Sequence, residues 1–214
     1  MNLNNSYVLK QRDLSAPERV YAEPFDSRVE FARASFGRDA LSRRSGRANA
    51  FQWLSPVRVG PEAARLSAAA RGNEGATGLS SPKRYLWDSR AISQVWRFNG
   101  TSSDGMTTEP PVSGAFMAFV TEEGEVLRAS RRAAQPAMRA RFSRSSLASF
   151  MLAELLMQAL SQINSVETRY ARSFPDVPRR LRRVILTMPP AMALAEQRIF
   201  RVRAEAAVKL AWDM

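Results

Sequence analysis

Apolar residues recur at helical spacing in two long stretches near the end of the chain. The first predicts a helix over residues 146–163, with Ser145 or Ser146 as the N-cap that accepts a hydrogen bond from a free amide of the first turn. The second predicts a helix over residues 194–212. Its apolar face would carry four residues, Ile199, Val202, Ala206 and Leu210. Both helices are long enough to contribute to a core.

Shorter apolar runs predict extended elements. Residues 55–60 indicate a short strand or an extended entry into a helix, and residues 115–120 with 126–128 predict a hairpin whose turn needs Gly124. The run Val-Ile-Leu-Thr-Met at residues 184–188 is typical of a strand covered on both faces, and two prolines end it. We therefore expect an α/β chain that mixes strands with packed helices (α+β mix).

A short helix over residues 61–71 is predicted from its ends. Pro61 occupies a first helical position, Glu62 lies in the first turn, and Gly72 follows the last turn. The glycine-rich residues 72–78 then lack the Gly-x-x-x-x-Gly-Lys-Ser/Thr spacing, and no apolar strand leads directly into them. We interpret them as a turn rather than a phosphate loop.

Residues 1–50 differ from the rest of the chain. They are rich in Arg, Ser and Ala, lack sustained periodicity and contain Pro17 and Pro24. We expect a loosely ordered N-terminal segment over residues 1–50 and a single domain over residues 51–214. Short apolar groups near residues 20–25 and 29–36 can dock, but alone they do not offset the entropy of ordering.

Composition excludes several kinds of chemistry. The 214 residues contain neither cysteine nor histidine, which removes thiol nucleophiles, thiolate or imidazole metal ligands and the usual general base at neutral pH. We expect no metal site. The chain has no run of about 18 apolar residues and no secretory signal at its start, so we expect a cytoplasmic protein without a membrane span.

The net charge of +12 comes mainly from arginine. Residues 128–144 and 169–183 hold most of the clustered arginines, and the first of these stretches contains no acidic residue. Three interpretations stay open: a solvated basic surface, a surface that docks a partner or the rest of a longer chain, and a nucleic-acid surface. The last is disfavoured because no recognisable module or aromatic platform accompanies the basic stretch.

The order of the elements resembles the nucleotide-binding fold of the actin and DnaK-type heat-shock chaperone superfamily. Three segments carry the resemblance: Val-Gly-Pro-Glu-Ala-Ala-Arg at residues 59–65, Ser-Pro-Lys-Arg-Tyr-Leu at residues 81–86, and Ile-Leu-Thr-Met-Pro at residues 185–189, followed by Gln197-Arg198. The predicted hairpin and long helix lie between them in the same order. This resemblance implies part of an ATPase-type domain with an incomplete sheet.

Two longer segments are more similar to the bacterial virulence-factor SrfB family. They are Thr-Gly-Leu-Ser-Ser-Pro-Lys-Arg-Tyr-Leu-Trp-Asp at residues 77–88 and Pro-Arg-Arg-Leu-Arg-Arg-Val-Ile-Leu-Thr at residues 178–187. Members of that family are several times longer than this chain. The resemblance therefore implies a fragment of a virulence-associated protein, whose partner would be the remainder of the parent protein or another protein.

The resemblance also implies roles for individual residues. Lys83 matches the chaperone lysine that reaches the γ-phosphate, and Pro189 matches a strand-end proline linked to signalling between domains, although two prolines also simply end a strand. The superfamily's two glycine-bearing phosphate hairpins are not found in this sequence. We therefore expect no cofactor in this chain and no ATP binding or hydrolysis by it alone, with ATP and magnesium left to a full-length protein.

Two alternatives to an ATPase fragment stay open. One is a basic interaction module that binds an anionic protein or nucleic acid between Arg128 and Arg183; the other is a structural α/β piece without catalytic function. Whether the parent protein is an enzyme is also open.

Overall fold

The computed structural model describes residues 8–34, 53–70, 77–99, 110–127 and 134–214. Within these ranges the strands are short and pair antiparallel: β1 (Gln11–Arg12), β2 (Val20–Tyr21), β3 (Arg28–Phe31), β4 (Val57–Val59) and β5 (Gly78–Ser80). β1 pairs with β2, and the other three form a sheet in the order β4-β3-β5.

The described helices complete a mixed α/β fold, which confirms the predicted class. They are α1 (Gly60–Ala69), α2 (Arg144–Ile163), α3 (Val166–Tyr170) and α4 (Leu194–Asp213), together with two 3₁₀ helices over Pro82–Tyr85 and Ala115–Phe119. α2 occupies the centre, because it packs against α4, against β4 and against the first 3₁₀ helix.

The sheet separates an apolar face from a polar one. Val29 pairs with Val59 and Phe31 with Val57, so these four side chains share one face, and all are fully buried. Glu30 and Arg58 are opposite partners on the other face and are also buried. Because side chains on both faces of the sheet are buried, every residue of these short strand pairs contributes to packing.

An aromatic cluster fills the space between the sheet and α2. The Phe142 ring makes edge-to-face contacts with Phe116 and Phe150, with ring centroids 6.0 and 5.1 Å apart. Phe31 of β3 lies 5.6 Å from the ring of Trp96, whose indole N–H donates to the Phe142 carbonyl at 2.8 Å. These contacts join the sheet, the loops and α2 into one core.

The N-terminal segment contributes directly to this core. We expected residues 1–50 to be loosely ordered, yet residues 8–34 contain β1, β2 and β3, and β3 is the middle strand of the sheet. The pairing with β4 and β5 supplies the backbone hydrogen bonds that a short strand cannot make alone. Residues 1–7 and 35–52 lie outside the described residues, and the boundary near residue 50 stays a prediction.

The elements predicted around residue 60 are confirmed. β4 lies within the predicted extended stretch 55–60, and α1 has proline at its first positions, Glu62 in its first turn and its end at Ala69. Gly72, predicted to follow this helix, lies outside the described residues.

The predicted hairpin near residue 120 is only partly correct. Residues 115–119 form a 3₁₀ helix instead of a strand, because Phe116 and Met117 both turn into the core. The turn itself is present: Val120 and Val126 form one antiparallel bridge, and Gly124 has a left-handed φ of +88°. Leu127 ends the described part of this region, so the extent of the second arm is not tested.

The N-cap of α2 is Ser143, not Ser145 or Ser146. The Ser143 hydroxyl oxygen accepts a hydrogen bond from the Ser146 amide at 3.1 Å, as a cap requires. Ser145 and Ser146 are buried in the first turn instead, and the Ser145 hydroxyl donates to the Leu86 carbonyl. Three serines near one helix start made the choice ambiguous from sequence.

The predicted strand at residues 184–188 is wrong. The segment has no strand partner among the described residues, and Ile185 is 77% exposed. The Val, Ile and Leu side chains of this segment are therefore exposed to solvent. Burial in a sheet does not explain why the segment is apolar.

The last predicted helix is confirmed as α4, but its buried face is rotated. Ala206 and Leu210 are buried as predicted, whereas Val202 is exposed and Arg203 is buried. Arg203 lies inside because its guanidinium donates to the Ser145 hydroxyl at 2.8 Å and pairs with Glu125 at 2.7 Å.

Candidate functional site

Lys83 lies on the surface at the first 3₁₀ helix. Ser81 precedes it in a left-handed conformation with φ of 51°, and the Ser81 amide donates to the Ser27 carbonyl at 2.7 Å. Pro82 is buried beside it, which fixes the turn and leaves the Lys83 side chain exposed. To the described residues it makes no ion pair, so its ammonium group is available to an anion.

Pro189 is exposed and begins the turn that leads to α4. Its carbonyl accepts a hydrogen bond from the Met192 amide at 3.0 Å. Met188, its neighbour, packs against a small cluster of Leu86, Ala148 and Met192. Because Leu86 closes the segment that carries Lys83, the structure brings the two sequence-predicted segments together at the start of α2.

A second candidate surface is the arginine-rich segment, residues 169–183. It begins in the last residues of α3, and Asn164, which precedes α3, holds it at Arg179: the Arg179 amide donates to Asn164 Oδ1 at 2.8 Å, and Asn164 Nδ2 donates to the Arg179 carbonyl at 3.0 Å. Phe174 has a left-handed φ of 59° between these points. The two hydrogen bonds close the segment into a loop that projects from the end of α2.

The arginine-rich segment is strongly cationic. It contains six arginines and a single acidic residue, Asp176. Arg180, Arg182 and Arg183 are exposed, and none of them lies within ion-pairing distance of a carboxylate in the described part of the chain. Their charges are therefore not neutralised internally.

Exposed apolar side chains accompany these arginines. Seven large ones lie between residues 166 and 186: Val166, Tyr170, Phe174, Val177, Val184, Ile185 and Leu186. Such a concentration next to one charged loop is unusual for a surface that only contacts water, since large exposed apolar patches commonly mark interaction sites.

An apolar groove continues this surface between α2 and α4. It encloses about 570 Å³ and is lined mainly by aliphatic side chains: Leu9, Leu152, Leu155, Leu156, Ala159, Val184, Leu186, Ala204 and Val208. Arg201, Glu205 and Lys209 form the polar part of its lining, and all three are exposed. The groove and the arginine-rich segment thus share one side of the molecule through Val184 and Leu186.

A third arrangement, a buried ionic cluster, lies beneath the polar face of the sheet. Arg58 is completely buried, and its guanidinium Nε lies 3.5 Å from a carboxylate oxygen of Glu62, with Glu154 and Asp13 also close enough to stabilise its charge. Arg65 holds Asp13 through two hydrogen bonds of 2.9 Å. Two arginines therefore face three carboxylates in the protein interior.

Burial dominates the electrostatics of this cluster. It raises the pKa of Glu62 to about 7 against the opposing effects of Arg58 and of the Ser15 hydroxyl, which donates to the carboxylate at 2.6 Å. Burial likewise raises the pKa of Glu154, which accepts hydrogen bonds from Trp53 and Gln158. It lowers the pKa of Arg58. The cluster joins Asp13, which follows β1, to β4, α1 and α2, and we interpret it as structural.

Sequence reasoning missed both the groove and the ionic cluster. Arg58 stands between Val57 and Val59 in a strand, where alternation alone would have placed it toward solvent. In the sequence, Glu62 indicates only a favourable residue of the first helical turn. In the described part of the chain, no group of three or more Asp and Glu side chains is arranged to hold a metal ion.

One described helix, α2, is long and apolar enough by length and composition to cross a membrane. This is weak evidence, because the core helix of a soluble protein passes the same test. Leu147, Ala148, Phe150 and Ala153 of α2 are buried in the protein.

Comparison with known proteins places the chain in a class of virulence-associated proteins. The family model described as virulence factor SrfB matches residues 1–214. The chain belongs to the SrfB family. No curated protein and no solved structure matches it, so the resemblance to the actin and DnaK-type fold gains no support from these comparisons.

Proposed function

We propose that this virulence-associated chain is an interaction module that binds an anionic protein partner through the arginine-rich segment. The observation that carries the proposal is the exposure of Arg180, Arg182 and Arg183, which have no counter-ion among the described residues and lie near exposed apolar side chains in the chain. An acidic partner would supply the missing carboxylates, and its apolar residues would cover the aliphatic ones.

The apolar composition favours protein over nucleic acid. Five of the seven exposed apolar side chains near the segment are aliphatic, and two, Tyr170 and Phe174, are aromatic. Single-stranded nucleic acids are held by stacking on aromatic rings, which aliphatic side chains cannot provide. Aliphatic side chains beside arginine are suited to the mixed apolar and charged surface of a protein.

Removing charge from the segment tests this proposal. We expect the variant R180Q/R182Q/R183Q to bind a labelled glutamate 20-mer about tenfold or more weakly at low salt, because each exposed charge pair contributes up to about 1 kcal/mol. Fluorescence anisotropy measures the dissociation constant. For the triple variant, this constant should also depend less on salt concentration.

The matched control is R84Q/R90Q/R139Q, which removes three exposed arginines outside the segment. Equal weakening by both triple variants would show only a general charge effect and would contradict the proposal. A single-stranded oligonucleotide of equal charge should bind no more tightly than the peptide. Tighter binding that depends on the three segment arginines would favour nucleic acid instead.

A second candidate function, part of an ATPase-type domain in a longer SrfB protein, is favoured by the placement of Lys83. This lysine is exposed on a turn that begins with a non-glycine residue at positive φ, a type of strain that clusters at functional sites. Its segment also meets the one that carries Pro189, through Leu86 and Met188. ATP and magnesium would bind there only with phosphate-binding loops supplied by other parts of the protein.

Calorimetric titration of Mg-ATP tests this second candidate. We expect no saturable heat for the chain alone, because the two phosphate-binding hairpins of that superfamily are not found in its sequence. The variants Lys83→Ala and, as control, Arg84→Ala should then behave like the parent chain. Saturable binding that Lys83→Ala weakens and Arg84→Ala does not would contradict the expectation and reveal a nucleotide site within these 214 residues.

A further inference from the structure

The groove between α2 and α4 presents two facing helical stripes. On α2 the stripe is Leu152, Leu155, Leu156 and Ala159, which follows the i, i+3, i+4, i+7 spacing of a core-facing surface. Ala204 and Val208 stand opposite on α4, and Val184 and Leu186 form a third wall. The leucines are only partly buried, so a stripe with the pattern of a core remains open on one side.

We propose that this groove binds an amphipathic α-helix of a protein partner, one that carries acidic residues along the border of its apolar face. The inference rests on the proposed function and names the structure that the anionic partner presents. Helix-in-groove recognition uses apolar anchors at i, i+3, i+4 and i+7, the spacing that would match the α2 stripe.

The dimensions of the groove suit about two helical turns. Leu152 to Ala159 spans seven rises of about 1.5 Å, or roughly 10 Å along the axis of α2. The volume of about 570 Å³ is concave and almost entirely apolar in its walls. A partner helix can therefore insert two or three side chains while its backbone stays outside, with its own hydrogen bonds intact.

The charges around the groove select the occupant. Arg201 and Lys209 belong to its lining, and the exposed Arg182 and Arg183 directly precede Val184 in the chain, whereas Glu205 is the acidic residue of the lining. A single fatty acid carries one negative charge, too few for this surface. A second copy of the chain, at +12, would place like charges together. A helix with several carboxylates neutralises them.

Direct binding of a designed peptide tests the groove. The probe is an 18-residue peptide with leucine at i, i+3, i+4 and i+7 positions, glutamate at the positions that border the leucines, and alanine and glutamine elsewhere; its comparison is a scrambled peptide of equal composition. We expect the amphipathic peptide to bind the full chain at least tenfold more tightly than the scrambled one in fluorescence anisotropy. Equal affinities would overturn the groove proposal.

A matched pair of substitutions on α4 then locates the contact. Val208→Glu places a charge in the groove, and Val202→Glu places the same charge on the same helix at an exposed position that does not line it. Both sites are exposed, so both variants should fold, as circular dichroism checks. We expect at least tenfold weaker peptide binding for Val208→Glu and less than threefold for Val202→Glu; equal effects would overturn the assignment to the groove.

Failure of this inference is distinguishable from failure of the proposed function. If the scrambled peptide binds equally well but the glutamate 20-mer still depends on Arg180, Arg182 and Arg183, the groove proposal fails and the anionic surface stands. If the scrambled peptide binds equally well and binding of the glutamate 20-mer does not depend on the three arginines, both the groove proposal and the proposed function fail. Binding of oleate or of phosphatidylglycerol vesicles that Val208→Glu abolishes, without peptide binding, would overturn the helix in favour of a lipid.

Discussion

Replacing Arg58 with alanine is expected to lower the free energy of unfolding by about 3–5 kcal/mol, the range for breaking a buried ion pair by removing one partner. Arg58 is fully buried and is the cation shared by Glu62, Glu154 and Asp13. Its guanidinium also donates to the Ser55 carbonyl at 3.1 Å. Without it, Glu62 and Glu154 stay in the interior without their shared counter-ion, and alanine leaves a cavity beside them.

Urea unfolding at neutral pH measures this loss as a lower midpoint with an unchanged slope. Arg90→Ala is the control, because Arg90 is exposed and its loss should change stability by less than about 0.5 kcal/mol. If Arg58→Ala costs no more than the control, the buried ionic cluster does not hold β4, α1 and α2 together as described.

Replacing Phe142 with alanine is expected to have a similar effect, about 3–5 kcal/mol, the usual range for removing a buried aromatic side chain. Phe142 is fully buried and contacts the rings of Phe31, Phe116 and Phe150. Its loss removes three aromatic contacts at once and leaves a cavity between the sheet and α2. The rigid ring contacts on all sides limit how far the neighbours can close it.

The same unfolding experiment checks this expectation. Phe174→Ala is the matched control, since that ring is 74% exposed and belongs to the arginine-rich segment. It should leave the free energy of unfolding almost unchanged. A Phe142→Ala variant as stable as Phe174→Ala would mean that the aromatic cluster is not the centre of the core.

Helices α1, α2 and α4 could be predicted because their signals are local, whereas the five-residue α3 is not among the predicted helices. The periodic apolar positions of α2 and α4 and the proline and glutamate at the start of α1 act within a few residues of one another. The rotated face of α4 could not be predicted, because Arg203 is buried by partners 58 and 78 residues away, Ser145 and Glu125. A charged side chain such as Arg203 is expected to face water, but here it is buried because distant residues bind it.

The strands were harder to predict, because their stability also depends on partners that are distant in the sequence. β3 is four residues long, and only its pairing with β4 and β5 on both sides makes it stable. The four residues Arg28–Phe31 do not by themselves predict that pairing. The run at residues 184–188 shows the opposite case, because its continuous apolar pattern predicts a buried strand although its Val, Ile and Leu side chains are exposed.

The candidate site was predictable only in part. The concentration of arginine in residues 169–183 is visible in the sequence and is part of the basic stretch proposed as an interaction surface. The groove beside it requires the packing of α2 on α4, which leaves one leucine stripe uncovered. Lys83 and Pro189 were identified by resemblance, and their catalytic and signalling roles stay predictions.

Amide hydrogen exchange of the full chain, with and without the acidic amphipathic peptide, tests the proposed docking surface most directly. In the described chain, the amides of residues 180–188 donate no backbone hydrogen bond, so they should exchange rapidly when free. We predict that the peptide slows exchange in this segment and in the second half of α4. Slowed exchange elsewhere, with these two regions unchanged, would contradict an interaction surface formed by the arginine-rich segment and the groove.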